Sequence, residues 1–160
     1  GAGFPGVPLK IAFPHLEACL LDSLKKRVNF LEETFQLLKL ENITAIHGRA
    51  EEFAKNKAYR ETYDLCVSRA VSNLATLSEY CLPYVKTGGF FISYKSGTVQ
   101  EEVEQAQKAV KILGGKIQDV VYFQLPDSEI QRSLVVIEKI KATPGRYPRK
   151  AGTPLKEPLS

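Results

Sequence analysis

Hydrophobic positions along the chain alternate between two periods. Residues 7–13 read as a short helix, and Leu16-Glu17-Ala18-Cys19-Leu20-Leu21 is an apolar run of strand length that ends at Asp22. Beyond it Leu24, Val28, Leu31, Phe35 and Leu38 recur at helical spacing, with Lys25, Lys26, Arg27, Glu32 and Glu33 between them. That pattern predicts a helix with one apolar stripe, which Ser23 is placed to cap. Ile43-Thr44-Ala45-Ile46-His47 is a second strand and Ala50 to Lys55 a short helix. Tyr63-Asp64-Leu65-Cys66-Val67-Ser68 is a third strand, followed by a helix from Leu74 to Leu82 that Pro83 stops.

Gly88-Gly89 introduces a fourth strand, Phe90-Phe91-Ile92-Ser93-Tyr94-Lys95, and Thr98 is placed to cap a helix running to Leu113. The alternation then breaks. Two strand-like runs, Gln118 to Leu125 and Ser133 to Ile140, follow one another with Pro126-Asp127-Ser128 between them and no helix. Strand-helix-strand units build a parallel sheet, whereas successive strands joined by a short polar loop pair antiparallel. The expected architecture is an α/β sheet finished by a C-terminal hairpin.

Composition narrows the class. At 160 residues, 44% hydrophobic and 25% charged, the chain reads as one soluble domain with a substantial core. No apolar run approaches the roughly 20 residues of a membrane span, and no secretory pattern opens the sequence. Cys19, Cys66 and Cys81 are odd in number, widely spaced and set in apolar segments, so buried thiols in a reducing, cytoplasmic compartment are expected rather than disulfides or a metal site. The net charge of +4 lies wholly beyond residue 140, where Lys141, Arg146, Arg149, Lys150 and Lys156 face only Glu157. Four of the nine prolines, Pro144, Pro148, Pro154 and Pro158, fall in the same stretch and argue against regular structure there. Residues 1–140 therefore form the expected main domain and 141–160 a basic, Pro-rich tail, either an arm for a polyanion or a solvated, partly disordered end; charge alone favours the second.

Gly1-Ala2-Gly3-Phe4-Pro5-Gly6 is a loop of the kind that lets backbone N–H groups approach a nucleotide cofactor and that opens a helix. Its spacing fits G-x-G-x-x-G, and Asp22 lies 19 residues after Gly3. A carboxylate at a strand end accepts from two adjacent ribose hydroxyls, so Asp22 supports a ribose-bearing cofactor without choosing it. A nucleotide-cofactor oxidoreductase stays open on the motif, and the terminal hairpin disfavours it.

The loop, together with Leu21-Asp22-Ser23-Leu24-Lys25-Lys26-Arg27, Arg49-Ala50-Glu51-Glu52, Ser68-Arg69-Ala70 and Tyr147-Pro148-Arg149-Lys150-Ala151-Gly152-Thr153-Pro154, closely resembles the glucose-inhibited division protein B family of bacterial 16S rRNA guanine-N7 methyltransferases. The resemblance implies a class I S-adenosylmethionine-dependent methyltransferase, a Rossmann-like sheet with a reversed last strand. It implies that Gly1, Gly3, Phe4 and Gly6 line the S-adenosyl-L-methionine site, that Asp22 holds the ribose and that Ala50 and Glu51 lie beside the adenine. Arg69 would touch cofactor and incoming guanine and act as the catalytic residue. Arg49, Lys95, Arg132, Arg146, Arg149 and Lys150 would form an RNA track toward 16S rRNA or the small ribosomal subunit, with no metal and no membrane, in a protein that is monomeric when full-length.

Family members carry a further N-terminal helical segment and an Asp-x-Gly strand before the loop, and this sequence shows neither. That strand normally occupies the middle of the sheet. Its absence would leave unpaired ladder groups costing roughly 1 to 3 kcal/mol each, against a domain stability of about 5 to 15 kcal/mol. A piece of a longer chain, or another segment filling the gap, is the expectation, with a noncatalytic RNA-binding fragment as the alternative function. The chemistry is compatible with what the residues lack: guanine N7 bears an in-plane lone pair, so no base is needed, and His15 and His47 read as structural. Positioning would supply on the order of 7 to 11 kcal/mol. Phe4, Tyr94 and Tyr147 are the aromatics available to stack on the base.

Overall fold

The strands fall into two sheets. The structure is a computed structural model that describes residues 1–69 and 72–160; Ala70, part of one motif above, and Val71 lie outside the described residues. Helix α1 (Gly6–Ala12), strand β1 (Ala18–Asp22), helix α2 (Lys25–Leu37) and strand β2 (Ile43–His47) form one unit in which β1 and β2 pair parallel. After the short helix α3 (Ala50–Phe53) come β3 (Tyr63–Ser68), α4 (Leu74–Cys81), β4 (Val85–Ser96), α5 (Gln100–Ile112), β5 (Gly115–Gln124) and β6 (Gln131–Lys139). Their sheet order is β3-β4-β6-β5, with β3 and β4 parallel and β6 antiparallel to both its neighbours. The terminal hairpin is as expected, and among the described residues β1 and β3 do not pair with each other.

Three local details differ from the sequence expectation. Ser23 does not cap α2; Asp22 Oδ1 accepts from Leu24 N at 2.9 Å, so the carboxylate that ends β1 also steers the chain into the helix. Thr98 does not cap α5, whose N-cap is Val99 without a side-chain bond, and the helix start is instead acidic through Glu101 and Glu102. Strand β4 begins at Val85 rather than at Phe90, with Gly88-Gly89 inside it. A Cβ at Gly89 would run into the Asp64 carbonyl oxygen, and the β3–β4 register shifts between Tyr63 and Leu65.

Register decides which sheet face is covered. Cys66, Phe91, Ser93, Val135 and Ile137 share the face on which α4 and α5 pack. Leu74, Leu77, Leu82, Val110 and Leu113 fill that layer. On the opposite face Leu65, Phe90, Val121 and Phe123 are exposed while Val67, Ile92, Tyr94, Leu134 and Val136 are half-buried. Among the described residues the β1–β2 unit has a smaller buried cluster, Val7, Leu31 and Phe35, with Leu20, Leu40, Ile43 and Ala45 against it, and Val28 of α2 is buried too.

The tail is packed on the body, which corrects the reading of it as a solvated end. Arg60 donates to Ala54 O (3.1 Å), Tyr147 O (2.9 Å) and Thr143 O (2.8 Å). Arg149 grips the buried Glu79 through Nε and Nη2, with Nη2–Oε2 at 2.7 Å. Glu51 accepts from Gly152 N at 2.9 Å and Thr76 donates to Pro154 O at 2.9 Å. Pro154 stands in the first turn of α6 (Thr153–Lys156), where a missing N–H costs nothing, so the prolines permit this short helix.

Candidate functional site

In an open α/β sheet ligands gather at the carboxyl ends of the parallel strands. Here Asp22 stands level with His47 at the end of β1–β2, and Ser68 level with Ser93 near the end of β3–β4. Among the described residues a contact joins the two ends: the Arg69 guanidinium lies over the Phe4 ring, 5.3 Å from its centroid. The loop before α1 thus meets the segment after β3, although their strands are unpaired. Phe4 is 56% exposed, so one ring face stays open beside an exposed cation.

Asp22 is built as an acceptor. Leu24 N donates to Oδ1, and this bond together with the nearby Arg27 favours the charged carboxylate. Arg27 Nη1 stands 3.6 Å from Oδ2. A carboxylate offers about four lone-pair positions, so acceptor capacity remains for hydroxyl donors. The glycines divide. A Cβ at Gly3, whose φ is +83°, would lie 2.6 Å from Val7 Cγ2 and 2.9 Å from Leu31 Cδ2, and one at Gly6 would lie 3.1 Å from Leu20. Those two glycines are explained by packing of the loop on its own unit. Gly1 has no atom within 4 Å of where a side chain would be, so packing sets no demand for glycine there.

Ala50 and Glu51, expected beside an adenine, are partly engaged within the fold. Ala50 O accepts from Tyr84 Oη at 2.7 Å, and the buried Glu51 carboxylate holds the tail at Gly152.

The basic residues also divide. Arg49, Arg69, Arg146 and Lys150 are exposed, and Arg146 lies over the Tyr147 ring at 5.1 Å. Arg132 is half-buried and donates to Gln131 O at 3.0 Å. Lys95 and Arg149, expected on the RNA track, instead engage internal carboxylates, Glu102 and Glu79. Tyr147, in the tail, is buried against the core of the larger unit, which removes it from the stacking aromatics and leaves Phe4 and the half-buried Tyr94. Glu79, Glu102 and Arg60 escaped the sequence reading because their partners are remote in sequence; an acid in the first turn of a helix was the sole signal for Glu102.

His47 Nε2 is 3.2 Å from Ser23 O and His15 packs edge-on to Phe13. Cys81 is buried, but Cys19 and Cys66 are only half-buried, a correction to three buried thiols. The neighbouring Cys66 thiol and burial push the Cys81 thiol well above its ordinary value, which suits an inert side chain. Among the described residues no group of three or more His, Cys, Asp or Glu side chains is arranged to hold a metal ion, and no helix is long and apolar enough to cross a membrane.

Solved structures of the same architecture define the class. TYW2 of M. jannaschii, solved in complex with AdoMet, superposes with a TM-score of 0.65 at 15% identity, over 88% of this chain and 66% of that one. Geranyl diphosphate C-methyltransferase from Streptomyces coelicolor, solved with S-adenosyl-L-homocysteine, superposes with a TM-score of 0.63 at 10% identity, over 88% and 70%. The chain therefore has the class I methyltransferase fold.

The model of the GidB family, rRNA small subunit methyltransferase G, matches residues 1–135. Proteins named ribosomal RNA small subunit methyltransferase G are 57% identical in Lachnoclostridium phytofermentans (99% of this chain, 66% of that protein) and 54% identical in Clostridium novyi (99% and 65%). The chain belongs to the rRNA small subunit methyltransferase G family. It spans 65–66% of the length of these relatives.

Proposed function

We propose that this chain carries the catalytic part of an S-adenosyl-L-methionine-dependent methyltransferase that modifies N7 of a guanine in the decoding-region loop of 16S rRNA. The observation that supports it most is the Phe4–Arg69 contact, which brings the cofactor-side loop and the acceptor-side segment to one place in a chain of this family. A dehydrogenase reading of the glycine motif has no comparable support.

S-adenosylmethionine, when bound, supplies an electrophilic methyl group on a sulfonium. Ionised Asp22 accepts from ribose hydroxyls, and the glycine loop lets the amino-acid portion approach closely. The exposed Phe4 face gives an apolar surface on which a purine can stack. Because N7 presents its own lone pair, no side chain has to take a proton, and holding donor and acceptor in line provides the rate. Transfer leaves positive charge on the purine, so Arg69 works best paired with phosphate or with guanine O6. Exposed Arg49, Arg146 and Lys150, with Arg132, extend the same positive surface toward RNA, in a protein of the cytoplasm.

The separation of β1–β2 from β3–β6 among the described residues favours one second reading, a domain that binds RNA without catalysis. Calorimetry separates the readings: S-adenosylmethionine should bind and NAD should not, and methyl transfer to 16S rRNA should create a site cleaved by aniline after borohydride reduction. RNA binding without cofactor binding would establish the second reading instead.

A further inference from the structure

We propose that the cavity at the carboxyl end of β4 receives the base to be methylated and that Glu102 selects it as guanine; this rests on the guanine-N7 reading above. The cavity, about 420 Å³ in volume, is lined by Ser72, Asn73, Lys95, Ser96, Thr98 and Glu102. That volume is in the range of small-ligand sites. Its place follows from strand register. Ser68, the last residue of β3, pairs with Ser93 of the parallel β4, so Arg69 follows one residue beyond that level and Lys95 and Ser96 stand two and three residues beyond it. Neighbouring strands lie about 4.8 Å apart. The cavity and Arg69 therefore share one end of the same sheet, the end where ligands gather in open α/β folds.

Charge decides what the cavity can hold. Lys95 Nζ and Glu102 Oε1 are 2.6 Å apart, so a phosphate would meet the carboxylate and a metal cation the ammonium. A neutral, hydrogen-bonding ligand suits the pair. Among the described residues, the bonds to Glu102 from Lys95 Nζ and from Leu74 N, each at 2.6 Å, both fall on Oε1. They hold the carboxylate in place and leave Oε2 to a ligand. Lys95 also donates to Ser72 O at 2.8 Å and its side chain is 9% exposed, whereas that of Glu102 is 29% exposed, so the acid rather than the base meets what enters. A carboxylate only accepts, and guanine presents two adjacent donors, N1–H and the N2 amino group, on its Watson–Crick edge. Holding that edge leaves the major-groove edge outward, where N7 is open to the methyl donor and O6 to Arg69.

Titrations of the full chain followed by amide chemical shifts test this, with guanosine and inosine 5′-monophosphates as probes. Inosine lacks only the N2 amino group. The guanosine nucleotide should shift the amides of Ser96 and Thr98 and bind roughly tenfold to a hundredfold tighter than the inosine one, the value of one bond to a charged acceptor. Glu102→Gln, whose amide puts a donor where a carboxylate oxygen stood, should bind the two alike. Were that variant unable to fold, the wild-type ratio and the position of the shifts would still decide. Equal affinities in the wild type, shifts confined to residues outside the cavity, or a guanosine preference that survives Glu102→Gln would each overturn the proposal. Inosine at the acceptor position of 16S rRNA should lower kcat/KM by the same factor in the wild type and leave it unchanged in the variant. A chain that separates the two nucleotides through Glu102 yet binds no S-adenosylmethionine would defeat the proposed function and leave the cavity assignment standing.

Discussion

Around β3–β6 a continuous apolar layer lies between the sheet and α4 and α5, and the Arg149–Glu79 ion pair ties the tail to it; around β1–β2 the buried cluster is Val7, Leu31 and Phe35. Yet the residues proposed to hold the cofactor sit on the smaller unit. Regions that open to admit ligands are commonly drawn from the less stable part of a fold. The comparison teaches that packing and the proposed ligand contacts are divided: the larger unit holds most of the buried apolar residues and presents Arg69, while the smaller carries the glycine loop and Asp22.

The sharpest way to break this comparison is to empty each core in turn. Phe91→Ala should cost about 3 to 5 kcal/mol and lower the main unfolding transition, because Phe91 is fully buried under α4 and α5. Leu31→Ala should speed amide exchange in β1 and β2 and leave the main transition nearly in place. Equal shifts of that transition would mean that the two units unfold as one.

Next in size is Glu79→Ala, which strands Arg149 and should cost about 3 kcal/mol. Trypsin should then cut at Arg146 and Lys150 in the released tail while the sheet stays intact. Gly3→Ala forces a side chain into a left-handed backbone and against Val7, and should cost about 1 to 3 kcal/mol, read as loss of protection confined to the smaller unit.

The smallest effect is electrostatic. Glu61 accepts from Thr143 N at 2.7 Å and faces Lys139 Nζ at 3.0 Å. Burial pushes its carboxyl up, but these partners hold it below its ordinary value of 4.5, while burial pushes Lys139 down. Stability from Glu61 is therefore complete above that value and disappears as pH falls through the lower folded value. Glu61→Gln should flatten the acid side of a stability profile by about 1 kcal/mol; an unchanged profile would remove Glu61 from the account.

Much of the element order was legible because hydrophobic period changes cleanly between Leu21 and Leu24 and again between Leu38 and Ile43. The hairpin followed from two strand-like runs without a helix. What escaped was fixed by distance in space. Asp22 rather than Ser23 steers α2, because the carboxylate at the strand end reaches Leu24 N. Lys95 and Arg149 looked like surface cations because Glu102 and Glu79 become their partners only when α5 and α4 fold against the sheet and tail. Gly3 and Gly6 fit a phosphate-loop spacing, yet their neighbours are Val7, Leu31 and Leu20. The tail's prolines suggested an irregular end, and only tertiary bonds from Arg60, Glu51 and Glu79 explain why it packs.

The division of labour between the two units is tested most directly by calorimetry with S-adenosylmethionine on Asp22→Ala and Arg69→Ala, alongside their methyl transfer to 16S rRNA. Asp22→Ala should weaken cofactor binding by about a hundredfold, since charge-assisted bonds to two hydroxyls are each worth about 1.5 kcal/mol or more. Arg69→Ala should bind cofactor like the wild type and transfer no methyl. Full cofactor affinity in Asp22→Ala, or its loss in Arg69→Ala, would contradict the account.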